Sequence, residues 1–183
     1  MTELVPEHEK ESLSPSQVQT RANAAALDVL ARYWADGNGD LALPVDATIL
    51  AERVGADVFL DDLVGDLEGF IYKAPRERAE IVIDKSLSPV RKRFTCAHEL
   101  GHLVERLTDD DLEVAFTDKK DELSSQGRDP HEIFANTFAA ATLMPAPLVA
   151  KHFGEGMGLE DLAAKFWVSQ QAMQIRLSTL GLA

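Results

Sequence analysis

The hydrophobic pattern along this 183-residue chain changes period twice, and the changes divide it into blocks. From Gln17 the apolar positions Val18, Ala22, Ala25, Leu27 and Leu30 recur at helical spacing, which predicts a helix to about Trp34, ended by Gly37 and Gly39. A shorter helix is predicted over 47–54. The runs DVFL, GFIY and AEIVID follow, rich in β-branched and aromatic residues and separated by DDLVGDLE and KAPRER; they predict three strands of a small antiparallel meander. In the third run Ile81 and Ile83 fall on one face, with Glu80, Val82 and Asp84 on the other. After Pro89 the period returns to helical, predicting helices over 90–107 and 131–143 and two short ones beyond Leu159. The pattern gives an α+β protein, mostly helical, with a small antiparallel sheet.

Composition adds boundaries to this pattern. Residues 1–16 hold four Glu, one Lys and two Pro with few large apolar groups, so a mobile acidic tail is expected there. A main domain is then expected over 17–153 and a helical segment over 154–183. The chain is long enough to bury an ordinary core without staples. Its one cysteine, Cys96, excludes an intrachain disulfide framework, and with no leader-like start and no membrane-spanning run the sequence reads as a cytoplasmic protein. A net charge of −13 opposes non-specific binding to nucleic-acid phosphates, which needs clustered Lys and Arg.

Chemistry concentrates in FTCAHELGHLVER, Phe94 to Arg106. With each helical residue advancing about 100°, Cys96, Leu100, Leu103 and Leu107 form an apolar stripe, and His98 and His102 project together from the other side. Imidazoles at i and i+4 form a chelate for one metal ion, and Glu99 beside them is placed to take a proton from water at that metal. The motif is H-E-x-x-H. Zinc is the expected ion, one per chain, with a third ligand needed from elsewhere.

That ligand defines the subclass. The elongated motif that continues to Gly and a third His is excluded, because Glu105 and Thr108 stand at those places. A later helix, HEIFANTFAAATLMP from His131 to Pro145, offers Glu132, with Asn136 one turn on, where its amide would orient a ligand histidine. His131 is a rival, although its side chain points about 100° away from that of Glu132. Tyr72 and His131 are candidates, by residue type, for the donor that steadies an oxyanion. Glu105, two turns from His98, reads as solvated or as a support to the ligands; His8 and His152 read as surface residues, and Trp34 and Trp167 as packing anchors.

The end of the chain, LEDLAAKFWVSQQAMQIRLSTLGL, has helix-turn-helix spacing, with a turn near Val168 and Ser169 and an expected exposed face of Gln170, Gln171, Gln174 and Arg176. Glu160 and Asp161 cancel Lys165 and Arg176, so weak or no DNA binding is expected, and packing on the main domain or docking of a protein is favoured.

The runs RFTCAHELGH, EIFANTFAAATLMP and LAAKFWVSQQAMQIRLSTLGL, in this order, resemble the ImmA/IrrE family of metallo-endopeptidases over about Gln17 to Leu182. The resemblance implies a minimal zincin-like metalloprotease domain with a helix-turn-helix-like C-terminal segment. It implies His98, His102 and Glu132 as zinc ligands and Glu99 as general base. It also implies a partner: a helix-turn-helix repressor or antitoxin-type protein, cleaved to relieve repression. An alternative is a transcription regulator or antitoxin-binding module that keeps a zinc site with little catalysis. Two departures from the family pattern are Cys96, where an aliphatic residue is usual, and the acidic stretch 108–129, long enough to border the cleft.

Overall fold

The computed structural model of the chain describes residues 13–108, 116–118 and 129–183. Most of the expected tail and most of the acidic stretch therefore lie outside the described residues. Helix α1 spans Pro15–Tyr33 and so begins inside the stretch expected to be a tail. The reason is local: Ser14 caps the helix in a reciprocal capping box with Gln17, and Pro15 sits in the first turn, where its missing N–H costs nothing. Helix α2, Ala47–Val54, starts on Asp46, whose carboxylate accepts from the backbone N–H of Thr48 and Ile49.

Strands β1 (Ala56–Asp61), β2 (Gly69–Lys73) and β3 (Ala79–Asp84) lie where the pattern put them. Their pairing corrects the expected antiparallel meander. β3 pairs antiparallel with β2 but parallel with β1, and a short β4, Phe116–Asp118, adds antiparallel to the other side of β2. The order is β1-β3-β2-β4, a mixed sheet. The physical reason is burial: Ala79, Ile81 and Ile83 are all buried, so β3 takes an interior place, while β1, exposed from Phe59 onward, takes an edge. The β2–β3 turn at Ala74–Glu77 is too short to allow anything but a hairpin, and its Arg76 takes a positive φ of 65°.

Helix α3, Pro89–Thr108, crosses one face of this sheet against β2 and β3 and also meets α2. Cys96, Leu100 and Leu103 of its predicted stripe are buried, and Leu107 packs at the edge of the same core. Burial pushes the Cys96 thiol up to about 12, so the departure at this position is a packing residue and not a nucleophile. Helix α4, Pro130–Leu143, lies against α3 and α1, and its Phe134 and Phe138 are fully buried.

A second core gathers Met144, Val149, Leu162, Ala163, Phe166, Met173 and Leu177. It joins α5 (Ala146–Gly154), α6 (Leu159–Phe166) and α7 (Gln170–Thr179). Pro145 and Pro147 do not end helical structure here; they open α5, where Pro is tolerated in the first turn. His152 on α5 is not a surface residue, because its ring meets Phe166 and its Nδ1 lies 2.8 Å from Glu155, leaving the side chain 15% exposed. Ser169 caps α7 on the N–H of Ala172. Gln170, Gln171 and Gln174 are exposed as expected, but Arg176 is buried, because it shares the stripe of Met173 and Leu177 that faces the second core.

The two cores are tied by Arg93 of α3. Its guanidinium donates to the carbonyl oxygens of Phe166, Trp167 and Val45 and lies over the Trp167 ring, 4.7 Å from its centroid. Trp167, in left-handed backbone at the end of α6, is held by Arg93 but stays 47% exposed and so is not the packing anchor expected, whereas Trp34 packs against the first core and its indole N–H donates to the Ala42 carbonyl. No single helix among the described residues is long and apolar enough to cross a membrane; α4 and α5 pass that test only as a pair bent by 47°, and much of their apolar surface is spent on the two cores. Arg93→Ala removes three charge-assisted bonds to carbonyls at once. It is expected to cost about 2–4 kcal/mol and to lower Tm by about 5–10 °C, read by thermal unfolding followed at Trp167. A Tm unchanged within about 1 °C would contradict this role.

Candidate metal centre

The site forms where α3 and α4 approach most closely. Gly101 makes the approach possible: a Cβ there would lie 3.0 Å from Ala135 Cα and 3.2 Å from both the Ala135 carbonyl oxygen and the Phe138 ring. The first turn of α4 is consequently laid beside the histidines of α3. Asp129 caps α4 by accepting from the N–H of His131, which fixes where that first turn begins. Glu132 thus stands near a helix N-terminus, where backbone N–H groups favour a negative charge.

The side chains meet as follows. His102 Nε2 is 3.1 Å from His98 Nε2, and the Glu132 carboxylate oxygens lie 3.4 Å from His102 Nε2 and 3.6 Å from His98 Nε2. One donor atom from each of the three residues falls within 4.8 Å of the other two. His98 Nδ1 is 3.1 Å from the Asn136 amide oxygen, which can only accept, so Nδ1 carries the proton and Nε2 keeps its lone pair toward the cluster. His98 is partly buried and His102 is buried.

The donor set suits a metal ion. Around a tetrahedral zinc with bonds of about 2.0–2.1 Å, neighbouring ligand atoms lie about 3.3 Å apart. The 3.1 Å between the two imidazole nitrogens and the 3.4 and 3.6 Å from them to the two Glu132 oxygens, one oxygen facing each histidine, fall around that value.

Glu99 is buried, at 6% exposure, on the helix that carries both histidines. β2 fits beneath it only because residue 69 is glycine: a Cβ there would lie 2.5 Å from Thr95 Cγ2 and 3.7 Å from Glu99 Cγ. This contact also disposes of Tyr72 as an oxyanion donor. Side chains alternate along a strand, so residue 72 faces away from the side on which position 69 meets Glu99, and Tyr72 is exposed there.

His131 does not join the triangle. Its Nδ1 is 3.0 Å from Glu105 Oε2, and its side chain is otherwise 64% exposed. Glu105 is correspondingly not a solvated residue but buried, at 6% exposure, because it continues the stripe of His98 and His102 that α4 covers. Burial raises its carboxyl above the usual range while the contact with His131 pulls it down.

With this geometry in view, the relatives become informative. A family model of the IrrE N-terminal-like domain matches residues 51–178, well over half of the chain and all of the site. The chain belongs to that family. Two curated members of similar sequence are named radiation response metalloprotease IrrE, from Deinococcus radiodurans and Deinococcus deserti; each is 39% identical over 98 residues, or 51% of this chain. This chain covers only 29% and 34% of their lengths. An uncharacterized immunity region protein of Bacillus phage phi105 is 31% identical over 114 residues, which span 62% of this chain and 68% of the phage protein. Among solved structures, a Mycobacterium tuberculosis transcriptional regulator shares the fold with a TM-score of 0.54 at 18% identity, over 91% of this chain and 52% of that one.

In this IrrE-like domain the α3–α4 contact sets the triangle, and Gly101→Ala tests it. The added methyl forces α4 outward, an overpacking cost of about 1–3 kcal/mol. Metal affinity, measured by competition with a chelator, is expected to fall by at least about tenfold, which corresponds to about 1.4 kcal/mol. Unchanged affinity in the folded variant would contradict the clasp.

Proposed function

We propose that the chain is a zinc-dependent endopeptidase, holding one zinc per chain on His98, His102 and Glu132, with Glu99 as general base. The observation that carries this reading is the three-residue donor set, with a buried glutamate following His98 on the helix that carries both histidines. Zinc, when bound, supplies an electrophile for a carbonyl oxygen and brings the pKa of water down to about 7. Asn136 keeps the His98 ring in the tautomer that offers Nε2 to the cluster. Glu99 accepts the proton of the attacking water and returns it to the departing amine nitrogen. The burial of Glu99 and His102 excludes bulk water from this exchange.

The substrate we assign is a helix-turn-helix repressor or antitoxin-type protein in the cytoplasm, cut to relieve repression. The family and the printed names of its members, metalloproteases of a radiation response and a phage immunity-region protein, support regulatory proteolysis. A net charge of −13 favours a partner that is basic where it meets phosphates, and salt weakens such docking. Selectivity then comes from surfaces outside the triangle.

The succession of α6 and α7 across residues 167–169, the spacing of a helix-turn-helix, supports a second reading, a transcription regulator with a metal site and little catalysis. Against it stand the buried Arg176 and the acidic Glu160 and Asp161, which leave α6 and α7 without the basic face that phosphate contacts need.

The test of the enzyme reading is Glu99→Gln, incubated with the helix-turn-helix repressor encoded beside its gene. The variant is expected to keep fold and metal while cleavage, followed by mass spectrometry, falls about 10²–10⁴-fold. Undiminished cleavage would remove Glu99 from its role, and tight operator binding with no cleavage by the parent protein would favour the regulator.

A further inference from the structure

A groove of about 640 Å³ runs between α1, the start of α3, α4 and α7. This volume is that of a site for a short peptide segment or a compact ligand. Its wall is mostly apolar and includes Phe94, Met144, Ala172 and Ile175. One end meets the metal centre, because Asn136 both lines the groove and holds His98, and the Phe94 ring lies 6.4 Å from that of His98. Ile175, 60% exposed, is an apolar side chain on the α7 wall that no packing requirement of the second core explains.

The charges lining the groove are of one sign. In a chain of net charge −13, no described lining residue is Asp or Glu, while Arg91 and Arg176 both line it. Arg91 is engaged by the Glu68 carboxylate at 2.9 and 3.0 Å from its Nε. Arg176 is different: it is 4% exposed, its Nε–H donates to the Met144 carbonyl at 3.0 Å, and no carboxylate among the described residues pairs with it. Burial alone depresses its pKa, in keeping with a cation that has no charged neighbour. A buried guanidinium without a counter-ion is costly to keep, and its planar fork matches a carboxylate.

We infer that this groove receives a segment of the polypeptide substrate in which apolar side chains adjoin a carboxylate, the apolar groups lying against Phe94 and Ile175 and the carboxylate on Arg176. The inference deepens the endopeptidase reading and rests on it for the identity of the occupant, since a chain leaving the groove past Asn136 arrives at His98. It gives α7 a part in choosing the substrate, so the C-terminal unit is a wall of the cleft as well as a neighbour of the catalytic domain. Arg176 is a specificity residue in this account and touches no reacting atom.

The test is binding, read by amide chemical shifts of the isotope-labelled full chain. The probes are an acetylated, amidated pentapeptide with two leucines followed by a glutamate, the same peptide with glutamine, and decanoate. The glutamate peptide is expected to shift amides of Asn136, Ala172 and Ile175 and to bind at least about tenfold more tightly than the glutamine peptide. In Arg176→Met that preference is expected to vanish. Arg176→Lys, which keeps charge and stem but loses the fork, is expected to retain only part of it. Should Arg176→Met not fold, the glutamate–glutamine comparison in the parent protein and in Arg176→Lys still decides. Equal binding of the two peptides, a preference that survives loss of Arg176, or shifts that map elsewhere would each overturn the inference. Groove shifts with decanoate but not with the glutamate peptide would overturn it in favour of a small apolar acid. Because the readout needs no cleavage, groove binding without repressor cleavage would sink the endopeptidase reading and with it the occupant's identity as substrate, leaving only the groove's preference for a carboxylate, whereas cleavage without groove binding would sink this inference alone.

Discussion

Everything the site does depends on how closely α3 and α4 can approach. Two histidines on one helix give only an edge of a metal site; the third corner has to come from another element, within about half an ångström of its place. Gly101 against Ala135 removes the side chains that would hold the helices apart, and the cap at Asp129 sets the register that brings Glu132 to that corner. The same contact buries Phe134 and Phe138, so core packing and ligand geometry share one interface. Close-packed interiors resist small displacements, which is what a preorganised ligand set requires. Gly69 repeats the device on the other side of α3, letting the sheet come up under Glu99.

The arginines show how an acidic protein uses its few buried cations. Arg93 spends its donors on three backbone carbonyls and so joins the second core to the first. Arg176 uses one donor on Met144 and carries its charge into a groove that no described carboxylate lines. The two residues sit on the two sides of the same junction, between the sheet-bearing domain and α5 to α7. That junction makes the C-terminal unit part of the site's surroundings, and it explains why a helix-turn-helix shape here does not present a basic face.

Much of this was legible in the sequence, and the limits have physical causes. The main helices carried amphipathic spacing and side-chain caps, and the i, i+4 histidines with Glu99 between them stood out as a candidate metal-site motif. Glu132 was nameable because Asn136 sits one turn away, although only the folded contact shows that Glu132 approaches the histidines while His131 turns to Glu105. Strand pairing was not legible, since parallel β1–β3 contact is fixed by burial of β3 and leaves no local mark. Helix α5 is absent from the predicted helices, since Pro145 and Pro147 argue against helix by composition although they fit its first turn. The burial of Arg176 was available from helical spacing, for it lies on one stripe with the apolar Met173 and Leu177, yet its charge argued the other way; that of Glu105 was not, because only the fold lays α4 over the histidine side of α3.

The most direct test of the account is where zinc sits. Crystals of the full chain grown with zinc, measured at the zinc absorption edge, are predicted to show one anomalous peak per chain at the α3–α4 clasp. The peak should lie about 2.0–2.2 Å from Nε2 of His98, Nε2 of His102 and a carboxylate oxygen of Glu132, with Glu99 outside the coordination sphere. A peak held by His131 and Glu105, or one with Glu99 as a ligand, would contradict it.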